Sequence, residues 1–589
     1  MSIESKNKKP RLEHFKKIAH YLLPQKKLFF VAGMFLIIST GLQLLVPYIF
    51  KVGIDKYLEN QSSKSIRGIT LIALILAGVV VVKLFVEYGH ALIAQIAGQR
   101  AMFNLRVDLF AHLQNLSMAY FNKHQIGKLI TRVTNDVEAV NELFTSVVIA
   151  FIRDGLVFAG SLTILFLLDF KLAIIAILLL PFFIIATFIF KRVIKKVYNA
   201  IRESITKLNI VLTEDLSGIK IIQMFLQEAH RRNFFKKINT DYYNATMKQM
   251  IIFGFFRPLV DFLTSLSIAL ILVFGGISVI KGALTFGVLV AFIMYVQQMF
   301  GPVIQISMQF NVIQSAMAAL ERIFNVLSEE PEIKNSLSVK SIDSASGRIN
   351  FEDVTFAYNS DINVLKNISF SIEPGKSVAI VGATGAGKTS IINLVCRFYD
   401  PQAGNIKIDG IDLRDWPLEK LRETVSVVLQ DSFIFGRNVW ENIGLGNQNI
   451  DKEKIIAAAE LVQAAGFIEN LPNGFDEMMM ERGATLSSGQ RQLLCFARAL
   501  AHDPKILILD EATSNIDPYT ESLIQKAIGV LMKGRTSIIV AHRLSTIKKV
   551  DEIFVLDGGK ICERGSHKEL MTKRGIYYNL YLLQFSHTV

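Results

Sequence analysis

Eight residues, "GATGAGKT" from Gly382 to Thr389, match the pattern G-x-x-x-x-G-K-[ST] directly after the apolar run "SVAIV". Glycines let a backbone wrap phosphate oxygens with its N–H groups, and a helix opening behind the loop presents its positive end. In this pattern Gly382, Ala383, Thr384, Gly385, Ala386 and Gly387 form the cradle. Lys388 reaches the terminal phosphates, Thr389 offers a hydroxyl to Mg2+, and Ser390 continues into the helix. Further along, "KILILDEATS" is a continuous apolar run ending in two acids, Asp510 and Glu511. A parallel strand buried on both faces reads this way. At its end Asp510 is placed to hold Mg2+ through water, and Glu511 to orient or deprotonate an attacking water. The chemistry available to this set is phosphoryl transfer from a nucleoside triphosphate to water.

A third segment sits apart from these. "ERGATLSSGQRQLL", from Glu481, is rich in serine and glycine and opens an apolar helix, so its start suits an anion. It has no acid, base or metal ligand arranged around it, and its serine pair, Ser487 and Ser488, precedes Gly489 and Gln490.

These residues all fall in the second half of a chain with two characters. Across 589 residues, too many for one compact domain, hydrophobic types make up 51% and Phe alone contributes 42. That load concentrates before about Gly301; from Gly347 onward the composition is that of a water-soluble α/β domain in which strands alternate with helical stretches. The expected boundaries are a membrane domain over residues 1–325, a polar linker over 326–346 and a nucleotide domain over 347–589. The fold class is an all-α six-helix transmembrane domain with long cytoplasmic extensions, followed by an α/β phosphate-loop domain.

Spanning a bilayer takes about 20 apolar residues per helix. Such runs occur at 28–50, 69–90, 144–168, 172–193, 254–280 and 284–308, six spans. The connections "DFK" at Asp169 and "KGAL" at Lys281 are short, whereas 90–145 and 191–252 keep a helical apolar period while charge returns. Two helical hairpins are therefore expected to project from the membrane on the side of both termini. The cations Lys6, Lys8, Lys9, Arg11, Lys16, Lys17, Lys26 and Lys27 before the first span place that side in the cytoplasm. "LEHFKKIAHYLL" from Leu12 reads either as an interfacial helix or as a solvated one. The net charge of +13 lies at membrane flanks, and no basic face with interleaved aromatics marks a nucleic-acid partner. Cys396, Cys495 and Cys562 share no metal-like spacing and read as structural thiols. Inside the spans, Asp154 and Asp261 fall at comparable depth, beside Arg153 and Arg257; Lys83 and Glu87 share the second span. They read as a polar cavity lining or ion-pair layer, or else as helix-locking pairs. Pro302 is expected to kink the sixth span.

Taken together, six spans, "GATGAGKT", "LILDE" and "LSSGQ" resemble the ATP-binding cassette family, and the layout resembles a multidrug or lipid exporter half-transporter. The segments "YFNKHQIGKLITRVTNDVEAV" from Tyr120 and "LTEDLSGIKIIQMF" from Leu212 resemble that family's coupling helices, which dock hairpin tips onto nucleotide domains. The resemblance implies ATP and Mg2+ as cofactors, with Tyr358 stacking on adenine and Gln430 sensing Mg2+ and the γ-phosphate. It implies that His542 bridges Glu511, the water and the γ-phosphate. "LSSGQ" resembles the signature that closes over ATP held by another subunit: Ser487 contacts the γ-phosphate, Gly489 allows close approach, and Ser488 and Gln490 complete the motif. "SNID" from Ser514 and "ERG" from Glu481 resemble the segments that cross the dimer and touch the coupling helices. The expected partners are a second half-transporter subunit, the lipid bilayer and a small hydrophobic or amphipathic substrate. Ser488, with "GQRQLLCFARAL" and "TSNIDPYTE", tilts the expectation toward a heterodimer over a homodimer. The location implied is the cytoplasmic (inner) membrane. The expected activity is ATP-driven export of drugs or lipids. The alternatives are a narrow-specificity lipid or peptide flippase, or an ATP-gated membrane protein that does not transport.

Overall fold

The computed structural model describes residues 17–59, 66–334, 345–358, 362–510, 517–540 and 547–585. The chain divides into two compact units, one comprising 1–114 and 126–329, the other 115–125 and 330–589.

The first unit is helical. Its long helices are α1 (Lys26–Ile54), α2 (Ile66–Asn115), α4 (Ile126–Leu168), α5 (Phe170–Ser217), α7 (Glu228–Ile280) and α8 (Phe286–Leu327), with the short tip helix α6 (Ile219–Met224) closing the second hairpin; the first hairpin's tip helix, α3 (Met118–Lys123), falls in the second unit. Five of these helices carry an apolar window long enough to cross a membrane, and α8 carries a further apolar stretch, Phe286–Pro302 among the described residues. Pro302 lies inside α8, which continues as a helix beyond it.

Aromatic packing builds the core. Phe190 stacks on Phe256 at 3.8 Å, joining α5 to α7, and Phe183 stacks on Phe300 at 4.8 Å, joining α5 to α8. The buried Tyr295 hydroxyl donates to the Leu44 carbonyl at 2.7 Å, which ties α8 to α1. Beyond the membrane part, α2 buries Ala94, Ala97, Ala101, Leu105 and Leu109 at helical spacing. A Cβ on Gly98 in that stripe would come within 2.1 Å of the Thr145 side chain, so only glycine allows α2 and α4 to approach this closely. The Arg322 guanidinium grips the Asp136 carboxylate with bonds of 2.8 and 2.5 Å, linking α8 to α4.

Among the described residues, the intramembrane ion pairs each lie within one helix. Asp154 is buried and paired with its neighbour Arg153 at 3.0 Å, while the exposed Asp261 meets Arg257 one turn away at 3.5 Å. Lys83 pairs with Glu87 at 3.5 Å in the same manner. Each acid thus finds its base on its own helix; for Lys83–Glu87 and Arg257–Asp261 the i,i+4 spacing makes the two side chains surface neighbours.

In the second unit, one six-stranded sheet has the order β10-β9-β3-β8-β7-β6. Its strands are β3 (Ser377–Val381), β6 (Val425–Val428), β7 (Ile506–Asp510), β8 (Thr536–Val540), β9 (Glu552–Asp557) and β10 (Lys560–Gly565). β3, β8, β7 and β6 run parallel, and β3, β7 and β8 are buried almost throughout. A second, antiparallel sheet, in the order β2-β1-β4-β5, comprises β1 (Ile349–Phe356), β2 (Leu365–Ile372), β4 (Ala403–Ile408) and β5 (Ile411–Asp412). The sequence reading placed strands among helical stretches without dividing them between sheets. Alternating burial along β1 and β2 shows why these strands separate: they have one apolar face to cover, not two.

Residues 377–381 deliver the phosphate loop, and their entry is anchored by Asp551. Its carboxylate accepts from Ser377 N at 2.9 Å, Ser377 Oγ at 2.7 Å and Lys376 Nζ at 2.9 Å. Burial pulls this carboxyl upward, but those bonds outweigh it and hold its pKa below the ordinary value. A depressed folded-state pKa stabilises the fold above the unfolded value of about 3.9, and the benefit disappears as pH falls through the folded value. Asp551→Asn is expected to lower the thermal midpoint at pH 7 by a few degrees, equivalent to about 1 kcal/mol. The difference from wild type should shrink below about pH 4; a pH-independent difference in thermal unfolding would contradict this reading.

Candidate nucleotide site and signature helix

From β3 the chain turns through residues 382–387 into α9 (Lys388–Val395). Two positions need glycine: Gly387 caps α9 with φ +104°, and a Cβ on Gly382 would lie 2.2 Å from the Leu556 carbonyl oxygen. Lys388 is buried, and its Nζ donates to the carbonyls of Gly382 at 2.8 Å and Ala383 at 3.0 Å. Burial lowers its pKa, and the charge of Asp510 works against that shift. Ala383, Thr384, Gly385 and Thr389 are exposed, whereas Ala386 and Ser390 are buried.

Tyr358, just past β1, is 40% exposed. Its hydroxyl pairs with Ser390 Oγ at 3.1 Å and accepts from Asn393 Nδ2 at 3.0 Å. The ring therefore sits against the first turns of α9 and is not enclosed in the core. Gln430 is exposed two residues beyond β6, and Asp510 ends β7 beside Val540, the last residue of β8. The parallel strands thus release the phosphate loop, Gln430 and Asp510 from one edge, the carboxyl edge where ligands bind in such sheets. Glu511, His542 and Ser514 lie outside the described residues; Asp517 caps α12 (Pro518–Met532) by accepting from Thr520 N at 2.9 Å.

Ser487 caps α11 (Ser488–Ala501) in a reciprocal box: Gln490 N donates to Ser487 Oγ at 3.2 Å, and Ser487 N donates to Gln490 Oε1 at 2.9 Å. Ser488, the first helical residue, is exposed and Gly489 is buried. Gln490 therefore has a structural task that the motif alone did not reveal.

Sequence reasoning also missed Arg498 and Asn442. The largely buried Arg498 guanidinium donates to the Asn442 carbonyl at 2.7 Å and the Phe433 carbonyl at 3.1 Å. Asn442, in α10 (Val439–Gly444), donates to the carbonyls of Phe435 and Arg437 and accepts from Phe435 N. The segment after Gln430 is thereby pinned to the signature helix. An arginine inside the otherwise buried run Gln492–Ala499 was the available signal.

Alternation along the six-stranded sheet settles which face each helix covers. Ala379, Val381, Leu507 and Leu509 pack with Leu493, Leu494 and Phe496 of α11. Their neighbours Val378, Ile380, Ile506 and Ile508 pack with Ile391, Leu394 and Val395 of α9. The phosphate-loop helix and the signature helix occupy opposite faces of one sheet.

Breaking the box tests its structural weight. Gln490→Ala is expected to cost about 0.5–1 kcal/mol of stability, while Gln490→Glu keeps the bond to Ser487 N and stays near wild type. Equal losses in thermal unfolding would contradict that assignment.

Two family profiles match the chain: the ABC transporter transmembrane region over residues 29–303 and the ABC transporter domain over residues 365–514. The chain is 37% identical over 572 residues to the ABC transporter ATP-binding protein YknV of Bacillus subtilis, covering 97% of this chain and 94% of that one. It is 35% identical over 575 residues to an ATP-dependent lipid A-core flippase of Syntrophus aciditrophicus, covering 98% and 95%. Among solved structures, a bacterial Atm1-family ABC exporter with ATP bound superposes with a TM-score of 0.78 at 25% identity, over 96% of this chain and 99% of that one. Helical membrane unit, phosphate loop, signature helix and full-length relatives agree: the chain belongs to the ABC transporter family, as a membrane region fused to an ATPase that couples hydrolysis to transport.

Proposed function

We propose that this chain is one half of an ATP-driven exporter of amphipathic or hydrophobic compounds, drugs or lipids, and that its ATP sites are shared between two subunits. The observation that carries the shared site is the placement of α9 and α11 on opposite faces of the sheet. A signature helix so placed serves a nucleotide held by another chain. Ser487, Ser488, Gly489 and Gln490 then complete the partner's site, while Tyr358, residues 382–387, Lys388, Thr389 and Ser390 hold this chain's own ATP. Lys388 would exchange its bonds to the Gly382 and Ala383 carbonyls for bonds to phosphate.

Mg2+ fits the donors at this edge. Thr389, Gln430 and Asp510 offer hard oxygens and a single carboxylate, and Mg2+ is usually held by one or two carboxylates together with substrate phosphates. When bound, it would neutralise charge on the phosphates. Glu511 orients or deprotonates the attacking water, with His542 and Gln430 around it.

The second tip supports a partner subunit. Around α6, Ile221, Met224, Phe225 and Leu226 are each at least 63% exposed, an apolar tip that a second subunit's nucleotide domain would cover. Substitution of Ser488 within the signature favours a heterodimer. The N-terminal cations support a cytoplasmic nucleotide domain and insertion in the cytoplasmic membrane.

Two features favour apolar cargo. A cavity of about 670 Å³ between α5 and α7 is lined entirely by apolar side chains, among them Phe182, Ile189, Phe190, Phe255 and Leu259. Relatives are named for multidrug resistance, as YheH of Bacillus subtilis is, or for lipid A flipping. Glu511→Gln in the reconstituted transporter is expected to reduce ATP turnover by about 100-fold or more and to abolish ATP-dependent uptake of an amphipathic dye into inverted vesicles. Dye flux that persists without turnover would contradict the proposal.

A further inference from the structure

The first hairpin tip belongs to the nucleotide unit. Residues 115–125 cluster with 330–589, and within that unit Asn122, on α3, donates from Nδ2 to the Tyr399 hydroxyl at 2.8 Å. Tyr399 lies T-shaped against Tyr358, with centroids 5.1 Å apart and planes at 88°, and both rings contact Phe356 in the same manner. The Tyr358 hydroxyl in turn bonds Ser390 and Asn393 on the phosphate-loop helix. Burial raises the Tyr399 pKa, so its hydroxyl stays protonated across the physiological range. The loop carrying Tyr399 also receives the chain leaving α8: the buried Arg397 bonds the Lys334 carbonyl at 3.2 Å and the Asp400 carboxylate at 3.2 Å. The short loop 397–400 therefore gathers both segments that arrive from the membrane unit and sets one edge of the Tyr358 ring.

We propose that Asn122 and Tyr399 are positioning residues that link the first hairpin tip to the base-binding ring Tyr358, so that occupancy of the adenine site and the seating of that tip are one equilibrium. The proposal rests on the reading that Tyr358 stacks on adenine. Both side chains act through the orientation of Tyr358. Because coupling between two sites is reciprocal, ATP must tighten the tip to the extent that the seated tip tightens ATP.

The test uses the full-length transporter carrying Glu511→Gln, so that ATP binds without turnover. Two quantities are measured: equilibrium ATP affinity, and amide hydrogen exchange of residues 115–125 with and without saturating ATP. Tyr358→Ala is expected to weaken ATP binding roughly tenfold or more, as loss of a base-stacking ring does. Tyr399→Phe keeps the ring and removes the bond; it and Asn122→Ala should each weaken ATP binding by roughly three- to tenfold. Their combination should be no worse than either alone, since both delete one interaction. In wild type, ATP should slow exchange across 115–125; in both single variants that response should vanish at saturating ATP, although nucleotide is bound. If Tyr358→Ala leaves ATP affinity unchanged, the adenine reading fails and the link fails with it. If Tyr358→Ala weakens binding but 115–125 still responds to ATP in Tyr399→Phe and Asn122→Ala, the link alone is overturned.

Discussion

The arrangement of this protein's chemistry depends on a parallel sheet that must be buried on both faces. β3, β7 and β8 are buried almost throughout and mostly apolar, so side chains at alternate positions demand cover above and below. On one side the cover is α9 with the antiparallel sheet, and on the other it is α11 with its neighbouring helices. That requirement separates the phosphate-loop helix and the signature helix of one chain by the thickness of the sheet. It also aligns the strand ends, so that a cradle, a carboxylate and a glutamine emerge together. On the proposed reading, the half-site character of the signature is a consequence of hydrophobic burial.

Around that frame the protein invests polar interactions where strands and loops change direction. Asp551 anchors the entry to β3, Arg498 and Asn442 pin the segment after β6, and Ser487 with Gln490 closes the start of α11. Each meets backbone groups that would otherwise be left unpaired at the end of an element. In the membrane unit the corresponding work is done by aromatic stacks between α5, α7 and α8 and by Tyr295 on Leu44. The two hairpin tips fare differently: α3 clusters with the nucleotide unit, whereas α6 presents an exposed apolar end.

Features encoded by a local period or a fixed spacing were legible in the sequence. The phosphate loop, the apolar strand ending at Asp510, the long hairpins and the helix opening at Ser488 are all of this kind, because their geometry is set within a few residues. What could not be read depends on pairs distant along the chain. Asn122 and Tyr399 are 277 residues apart, and Arg498 meets Asn442 across 56. Separation of β1 and β2 into their own sheet followed from one-sided burial, a pattern present in the strands but outweighed by the continuous runs nearby. For the intramembrane ions, similar depth left a polar cavity lining, an ion-pair layer and helix-locking pairs all open, because depth says nothing of which partner a side chain meets; Arg153–Asp154 and Arg257–Asp261 close within their own helices.

The central claim is that one chain supplies the phosphate loop and another supplies the signature to the same ATP. Cysteines placed at Gly385 and Ser487 of this chain and at the corresponding positions of its partner subunit, whether a second copy or a second half-transporter, with Cys396, Cys495 and Cys562 replaced by serine, test it directly. Oxidation in the presence of ATP should join the two positions between chains and yield a species twice the size of one chain. A disulfide between residues 385 and 487 within a single chain, identified by mass, would contradict the account.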